Sequence, residues 1–282
     1  MRDPRIQLKN PILAGVLAWL LPGAGHFYQQ RYFKAGVYFV CILGLFLTGM
    51  AMAEWKAVQP PPKAGPGKTK LKMAKYGAQL AVGLPAMYGL IQRERYSSKD
   101  NQLVQQIDET IVAPFEGRTQ FHDDDGVYEG DLAGEITLKP VDLEFGGQAI
   151  SGQFEGTLND EPITLQLSTN VELDRPIEAD DRRSIWAGLV REKNGQQIQM
   201  GHLQGSIPRG FLDWFQVPVD DQEEQELHRR LGKKHEVAMV FTWIAGLLNI
   251  LAIWDAVEGP AFGYGDEHKN EDEAAAEDAA VA

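Results

Sequence analysis

One cysteine, Cys41, in 282 residues is too few for a disulfide framework or a cysteine-held metal site within one chain. Positive charge is scarce as well: 27 Lys and Arg stand against 40 Asp and Glu, for a formal net charge of −13. A nucleic-acid binder needs a basic face, so no nucleic-acid partner is expected. The spacings that carry catalysis are missing too. No paired-carboxylate site, metal-ligand pattern or nucleophile elbow can be read, so no catalytic residue, metal or cofactor is expected. Gly65-Pro66-Gly67-Lys68-Thr69 imitates a phosphate-binding loop, but the motif's first glycine is replaced by Pro62 and no strand precedes it, which favours a flexible basic linker. His122-Asp123-Asp124-Asp125-Gly126 has no spaced glutamate to complete a calcium loop and reads as a solvated turn.

What the chain does have is apolar runs. Ala35 to Ala53 and Val237 to Trp254 carry no charged residue. At ~1.5 Å per residue each covers most of a ~30 Å hydrocarbon core. Pro11 to Gly25 and the Pro85-interrupted Tyr76 to Ile91 are weaker runs. The basic start (Arg2, Arg5, Lys9) followed by Gly23-Ala24-Gly25 imitates a signal peptide, yet aromatics and a second apolar run follow at once, as in a membrane hairpin. The fold class expected is therefore a membrane α-helical protein with 3–4 membrane helices plus a small soluble β-rich domain, a sandwich or barrel. Its parts are an N-terminal membrane hairpin (1–53), a Lys/Pro/Gly linker (54–75), a third membrane segment, spanning or re-entrant (76–92), a soluble β-rich domain with helical ends (93–235), a last transmembrane helix (236–256) and an acidic tail expected to be disordered (257–282).

Within the soluble region, residues 100–113 read as a short helix, with Leu103, Val104, Ile107 and Ile111 on one face. Strands are expected at Glu135–Leu138, Asp142–Phe145, Gly152–Leu158, Ile163–Leu167, Trp186–Arg191 and Gln197–His202, the last two joined by a turn at Asn194-Gly195. Glu129–Leu138 and Glu155–Leu165 echo each other, as two similar hairpins would. Glu223–Lys234 reads as helix.

Between the first two apolar runs, Pro22-Gly23 breaks the helix, and the next residues mix Phe27, Tyr28, Tyr32 and Phe33 with Arg31 and Lys34. Aromatic rings favour the headgroup layer and long cations reach towards it, so this is an interfacial turn. Gly23, Gly25, His26, Phe27, Tyr28, Arg31 and Gly36 follow the order of a pattern they resemble, that of the small two-transmembrane-helix domain family, in which Gln30 replaces a usual glycine. The whole layout resembles bacterial membrane proteins classed only as a domain of unknown function, with a closing helix similar to Thr242–Ala256. The resemblance implies an architecture and no activity.

Other residues carry smaller expectations. His26 is an interfacial hydrogen-bonding group and Asn249 a helix-to-helix contact, while Asp255 sits hydrated at a membrane edge. Arg209, Phe211, Trp214 and Phe215 form a possible partner surface, or core, since Trp, Phe and Arg dominate binding hot spots. Basic residues prefer the cytoplasm, which puts the N-terminus inside, with the side of the soluble domain open. The expected location is a bacterial cytoplasmic (inner) membrane, and the expected partners are the lipid bilayer and a protein or a second copy. The function expected is a non-enzymatic scaffold or assembly factor, with a small transporter or channel component as the alternative and a membrane-anchored enzyme third.

Overall fold

The computed structural model describes residues 9–63, 70–102, 107–123, 126–143, 147–193 and 196–259. The linker motif Gly65–Thr69, Leu103 and Val104, Asp124 and Asp125, the Asn194-Gly195 turn and the tail from Pro260 lie outside the described residues. The chain forms two units: one from Met1–Glu94 and Gln216–Ala282, the other from Arg95–Phe215. In chain order the helices are α1 (Pro11–Leu20), α2 (Ala24–Tyr28), α3 (Tyr32–Met52), α4 (Lys70–Leu80) and α5 (Leu84–Tyr96). Six strands follow, β1 (Ile111–Asp123), β2 (Gly126–Asp142), β3 (Gln148–Leu158), β4 (Glu161–Leu173), β5 (Arg182–Lys193) and β6 (Gln196–Pro208), then α6 (Phe211–Trp214), α7 (Asp221–Leu231) and α8 (Lys233–Glu258).

In the first unit, α3 and α8 are the two described helices long and apolar enough to cross a membrane. The expectation of 3–4 membrane helices is corrected to two. The reason is length: the 10 residues of α1 rise ~15 Å, half of a hydrocarbon core, before Pro22-Gly23 turns the chain back. The third segment fails likewise, since α4 ends at Leu80 and Gly83, at φ 90°, reverses the chain into α5. Apolar composition marked both segments, and the breaks at Pro22-Gly23 and Pro85 were visible in it, but it did not show that the chain turns back there at half length.

The paths of the short helices follow from their contacts. α1 runs against α8 from its C-terminal end, with Gly15 beside Val257 and Ile253 and Ala18 bonded to Asn249. α2 comes back to the same end, where the Gln29 side chain amide reaches the carbonyls of Lys9 and Ala256. α4 enters from the other end, with Lys75 over the Trp243 ring, Gln79 donating to Thr242 and Ala81 accepting from Asn249. The tips therefore meet halfway along α8, where Trp19 Nε1 donates to the Leu80 carbonyl at 3.2 Å. Small residues allow the approach: a Cβ at Gly83 would collide with the Trp19 carbonyl, and one at Gly246 with that of Ala78.

α7 is capped by the Asp220 carboxylate, which accepts from the backbone N–H of Gln222 and Glu223. Glu223, Glu224 and Arg230 pair with Lys56, Lys72 and Glu54, tying α7 to the chain just after α3 and to the first turn of α4.

The second unit is a closed antiparallel barrel in chain order, β1 closing on β6 from Glu116↔Ser206 to Phe121↔Gly201. Alternation fills its interior with Phe115, Phe121, Leu132, Ile136, Ile150, Phe154, Leu165, Ile185, Leu189 and Leu203. Five of the six expected strands fall inside β2 to β6 as far as described, but Asp142–Phe145 does not, since β2 ends at Asp142 and Leu143 is already outside it. The helix expected at 100–113 is corrected as well: among its described residues Asp100–Gln102 form a single 3-10 turn and Ile111–Ala113 already belong to β1. The echo does not mark equivalent hairpins: Glu129–Leu138 lies within β2, while Glu155–Leu165 crosses from β3 into β4 through Asn159 and Asp160, both at positive φ. Another repeat matters more. Phe-Glu-Gly occurs at Phe115–Gly117 and Phe154–Gly156, each phenylalanine ring lies over the glycine two residues on, and the two rings meet edge to face at 5.6 Å.

Because the two half-length hairpins touch through Gly83, Gly83→Val is expected to lower stability by at least about 3 kcal/mol, combining a strained φ with overpacking. Unfolding of the purified full chain in detergent measures it.

Candidate functional site

The polar centre of the helical unit gathers around one carboxylate. Asp255, in the last turn of α8, places Oδ2 2.9 Å from His26 Nε2, 3.3 Å from the Tyr38 hydroxyl, 3.5 Å from Arg31 Nη2 and 3.9 Å from Lys34 Nζ. Arg31 Nη1 also donates to the Asp255 carbonyl at 3.2 Å, which fixes the guanidinium on both oxygens of one residue. His26 is fully buried and Arg31 nearly so. An ionised carboxylate only accepts, so His26 Nε2 carries the hydrogen. The His26 ring packs at 4.6 Å on Tyr38, which holds its plane.

Local sequence builds this arrangement. Gly23, at φ 85°, starts α2 hard against the Ala35 carbonyl, and Gly25 lets α2 lie on Ala14 and Ala18 of α1. α2 then ends in a paired cap, with Gln30 N–H on the Phe27 carbonyl and Arg31 N–H on that of His26. Such a cap needs a left-handed residue, and Gln30 has φ 66° there. This is the position where the resembled motif has glycine. The turn thus aims His26 and Arg31 at α8 from a segment of six residues.

The remaining expected site residues fall in several places. Pro22, Gly23, Phe27 and Gly36 line the opposite side of the same turn from His26, and Phe27 is 64% exposed. Tyr28 packs against the cluster of Ala14, Ala18 and Ala256, with Lys9 over its ring. Asn249 donates through Nδ2 to the carbonyls of Ala18 (3.2 Å) and Ala81 (2.8 Å) and so joins both hairpin tips. Gln79, which drew no attention in the sequence, does similar work by donating to the Ala57 carbonyl and Thr242 Oγ1.

In the barrel unit, Arg209 is buried and points inward, donating to the carbonyls of Asp180 and Arg175, so it is no part of a surface. Its neighbour Arg183 is held down to about 10, first by burial and then by the Arg209 charge. Glu178 beside them is raised above the usual carboxylate range by burial, an effect the charges of Arg175 and Arg209 oppose. Phe211, Trp214 and Phe215 do form one aromatic group, with Phe211 half-exposed. Asp123 pairs with Arg191, and no group of three or more His, Cys, Asp or Glu able to hold a metal occurs among the described residues.

A family model described as a family of unknown function matches residues 13–150 and 180–269. The chain belongs to that family, DUF6677. Searches of curated proteins and of solved structures each found no match. The matched ranges take in α1 to α5 and α7 to α8, and so every side chain around Asp255.

Sequence reasoning left Asp255 hydrated at an edge and left out Tyr38, because nothing local links residues more than 200 positions apart. The one available signal was an acid at the end of one apolar run and a His, an Arg and a Lys at the end of another. Removing one member of such a cluster strands the rest. Asp255→Ala is therefore expected to cost about 3–5 kcal/mol, and His26→Ala combined with it less than the sum of the two, in detergent unfolding titrations. Conversely, Gln30→Gly is expected to raise stability by about 1 kcal/mol in the same titrations, by relieving the left-handed backbone.

Proposed function

We propose that this is a non-enzymatic protein of a bacterial cytoplasmic membrane, a scaffold or assembly factor that crosses the bilayer twice through α3 and α8 and holds a β-barrel for a partner protein. The observation that carries the reading is the closed junction at Asn249. Two half-length hairpins enter from opposite ends, and their tips spend the amide of Asn249 on two backbone carbonyls. Gly83 and Gly246 leave no room there for one methyl group. A transport path needs polar groups facing a passage, and here Gln79 donates to Thr242, Thr242 donates back to Met239 within α8, and the Asn249 amide is taken by Ala18 and Ala81. This favours an anchor over the channel or transporter reading. The aromatic group of Phe211, Trp214 and Phe215 is the barrel-unit surface we favour for the partner.

The hairpins also bear on the side of the barrel. With α1 too short to span, the N-terminus and the linker lie on opposite sides, so the basic residues at Arg2, Arg5 and Lys9 and those of the linker cannot both be cytoplasmic. With two spans, the chain up to α3 and the chain after α8 share one side. The linker, α5 and α7 share the other, and the chain leaves for the barrel at Glu94 and returns at Gln216. Lys56, Lys63, Lys70, Lys72, Lys75, Arg93, Arg95, Arg229, Arg230, Lys233 and Lys234 belong to that second side. The first side has Arg2, Arg5, Lys9, Arg31 and Lys34, two of which face Asp255. The excess of basic residues supports a cytoplasmic barrel and external termini.

In a Cys41→Ser background, Asn194→Cys is expected to react with a membrane-impermeant thiol reagent only after lysis, and Asp266→Cys in intact cells. The reverse pattern overturns the orientation. Proteoliposomes of the full chain are expected to show no ion flux above empty vesicles; a flux abolished by Asn249→Leu with folding intact would make the protein a transporter.

A further inference from the structure

Gly36 is a glycine that its helix does not require. It lies in the second turn of α3, outside the left-handed region, and a Cβ there would meet nothing within 4 Å. Glycine inside a helix costs about 0.5–1 kcal/mol relative to alanine. The space it leaves open is a groove of ≈ 450 Å³ between the turn into α2 and the start of α3, with Pro22, Gly23, Phe27, Gly36 and Phe39 in its lining. Gly23, pressed on the Ala35 carbonyl, sets one wall. Phe27, edge to face with Tyr32 at 5.1 Å, sets the other. The interfacial turn therefore has two working faces. His26 and Arg31 turn to Asp255, while Pro22, Gly23, Phe27 and Gly36 turn away from it.

We propose that this groove is a lipid site that takes one acyl chain of a bilayer phospholipid. The proposal rests on the reading of α3 as a membrane span. Four observations select this occupant. The lining is almost wholly apolar, so it offers a peptide backbone nothing to bond. Phe27, Tyr32 and Phe39 of its lining are exposed, as are Phe33 and Val40 on the same helix, an apolar surface of the kind that bilayer hydrocarbon covers. It is confined to the first turns of α3, where a packed partner helix would run along the whole exposed face. Lastly, its volume falls in the range of pockets that enclose small molecules, about 300–1,000 Å³. Its position at the start of α3, two residues from Lys34, is the depth at which an acyl chain meets its polar head.

Gly44 provides an internal control: it lies on α3, is exposed, has open space at its Cβ and does not line the groove. The full chain is purified in mild detergent, washed, and assayed for retained phospholipid by native mass spectrometry, then for thermal stabilisation by added phosphatidylglycerol. Wild type and Gly44→Leu are expected to keep about one phospholipid per chain and to be stabilised on its return. Gly36→Leu, which fills the groove, is expected to lose at least about tenfold in retention while melting as wild type does in detergent alone. If Gly36→Leu does not fold, Phe27→Ala, which removes a wall at an exposed position, is expected to show the same loss. Equal retention by wild type and the groove variants, or no lipid on any of them, overturns the proposal. A wild-type dimer that Gly36→Leu converts to monomer also overturns it, by assigning the groove to a second copy. Release of the wild type from membranes by alkaline carbonate, without detergent, would instead remove the membrane reading beneath it, whatever the groove holds.

Discussion

A backbone that stops being helical away from water must find its hydrogen-bond partners in protein, and this requirement shapes the whole helical unit. Two hairpins break at Pro22-Gly23 and at Gly83, and both expose carbonyls at their tips. The Asn249 amide bonds one carbonyl from each, and Trp19 Nε1 takes a third. Everything else serves this meeting. Gly49 and Gly246 bring neighbouring backbones close, Gly15 makes room for Val257 and Ile253, and Ala18, Ala245, Ala252 and Ala256 are fully buried. α8 is the common wall on which the other helices are assembled.

At the end of α8, the Asp255 carboxylate does for the first hairpin's return arm what Asn249 does for its tip. A short turn, α2, carries a histidine and an arginine to it, and the α3 start adds a tyrosine and a lysine. An aspartate so surrounded binds the first sixth of the chain to the last helix. The same turn keeps an apolar concavity on its other side. Polarity is thus divided sharply within six residues, from Pro22 to Phe27, between a buried charged face and a hydrocarbon face.

How much of this the sequence revealed depended on the range of the cause. Composition alone located all four apolar runs, since burial in hydrocarbon or in protein demands the same residues. It ranked the two unbroken runs above the two shorter segments containing Pro22-Gly23 and Gly83-Leu84-Pro85, but still counted 3–4 membrane helices where two are long enough to span. Where those segments went was not legible, because direction is set by contacts such as Ala18 with Asn249, more than 200 residues apart. The barrel was legible as alternating strands with hairpin turns, although β1 was read as helix in part: Leu103, Val104, Ile107 and Ile111 suit a helical face as well as a strand. Closure of β1 on β6 left no local trace. The Phe-Glu-Gly repeat was the readable sign that was overlooked, and Arg209 shows the opposite error, a residue of hot-spot type that is spent on interior carbonyls.

The placement of Asn249 also orders events in time. Ala18 and Ala81 are translated early and Asn249 late, with the entire barrel in between. Until α8 emerges, the carbonyls at both hairpin tips lack the amide that joins them, and His26 and Arg31 lack their carboxylate. The whole barrel sequence must therefore be synthesised before the helical unit can close, and α8 locks that unit only on chains that already carry the barrel.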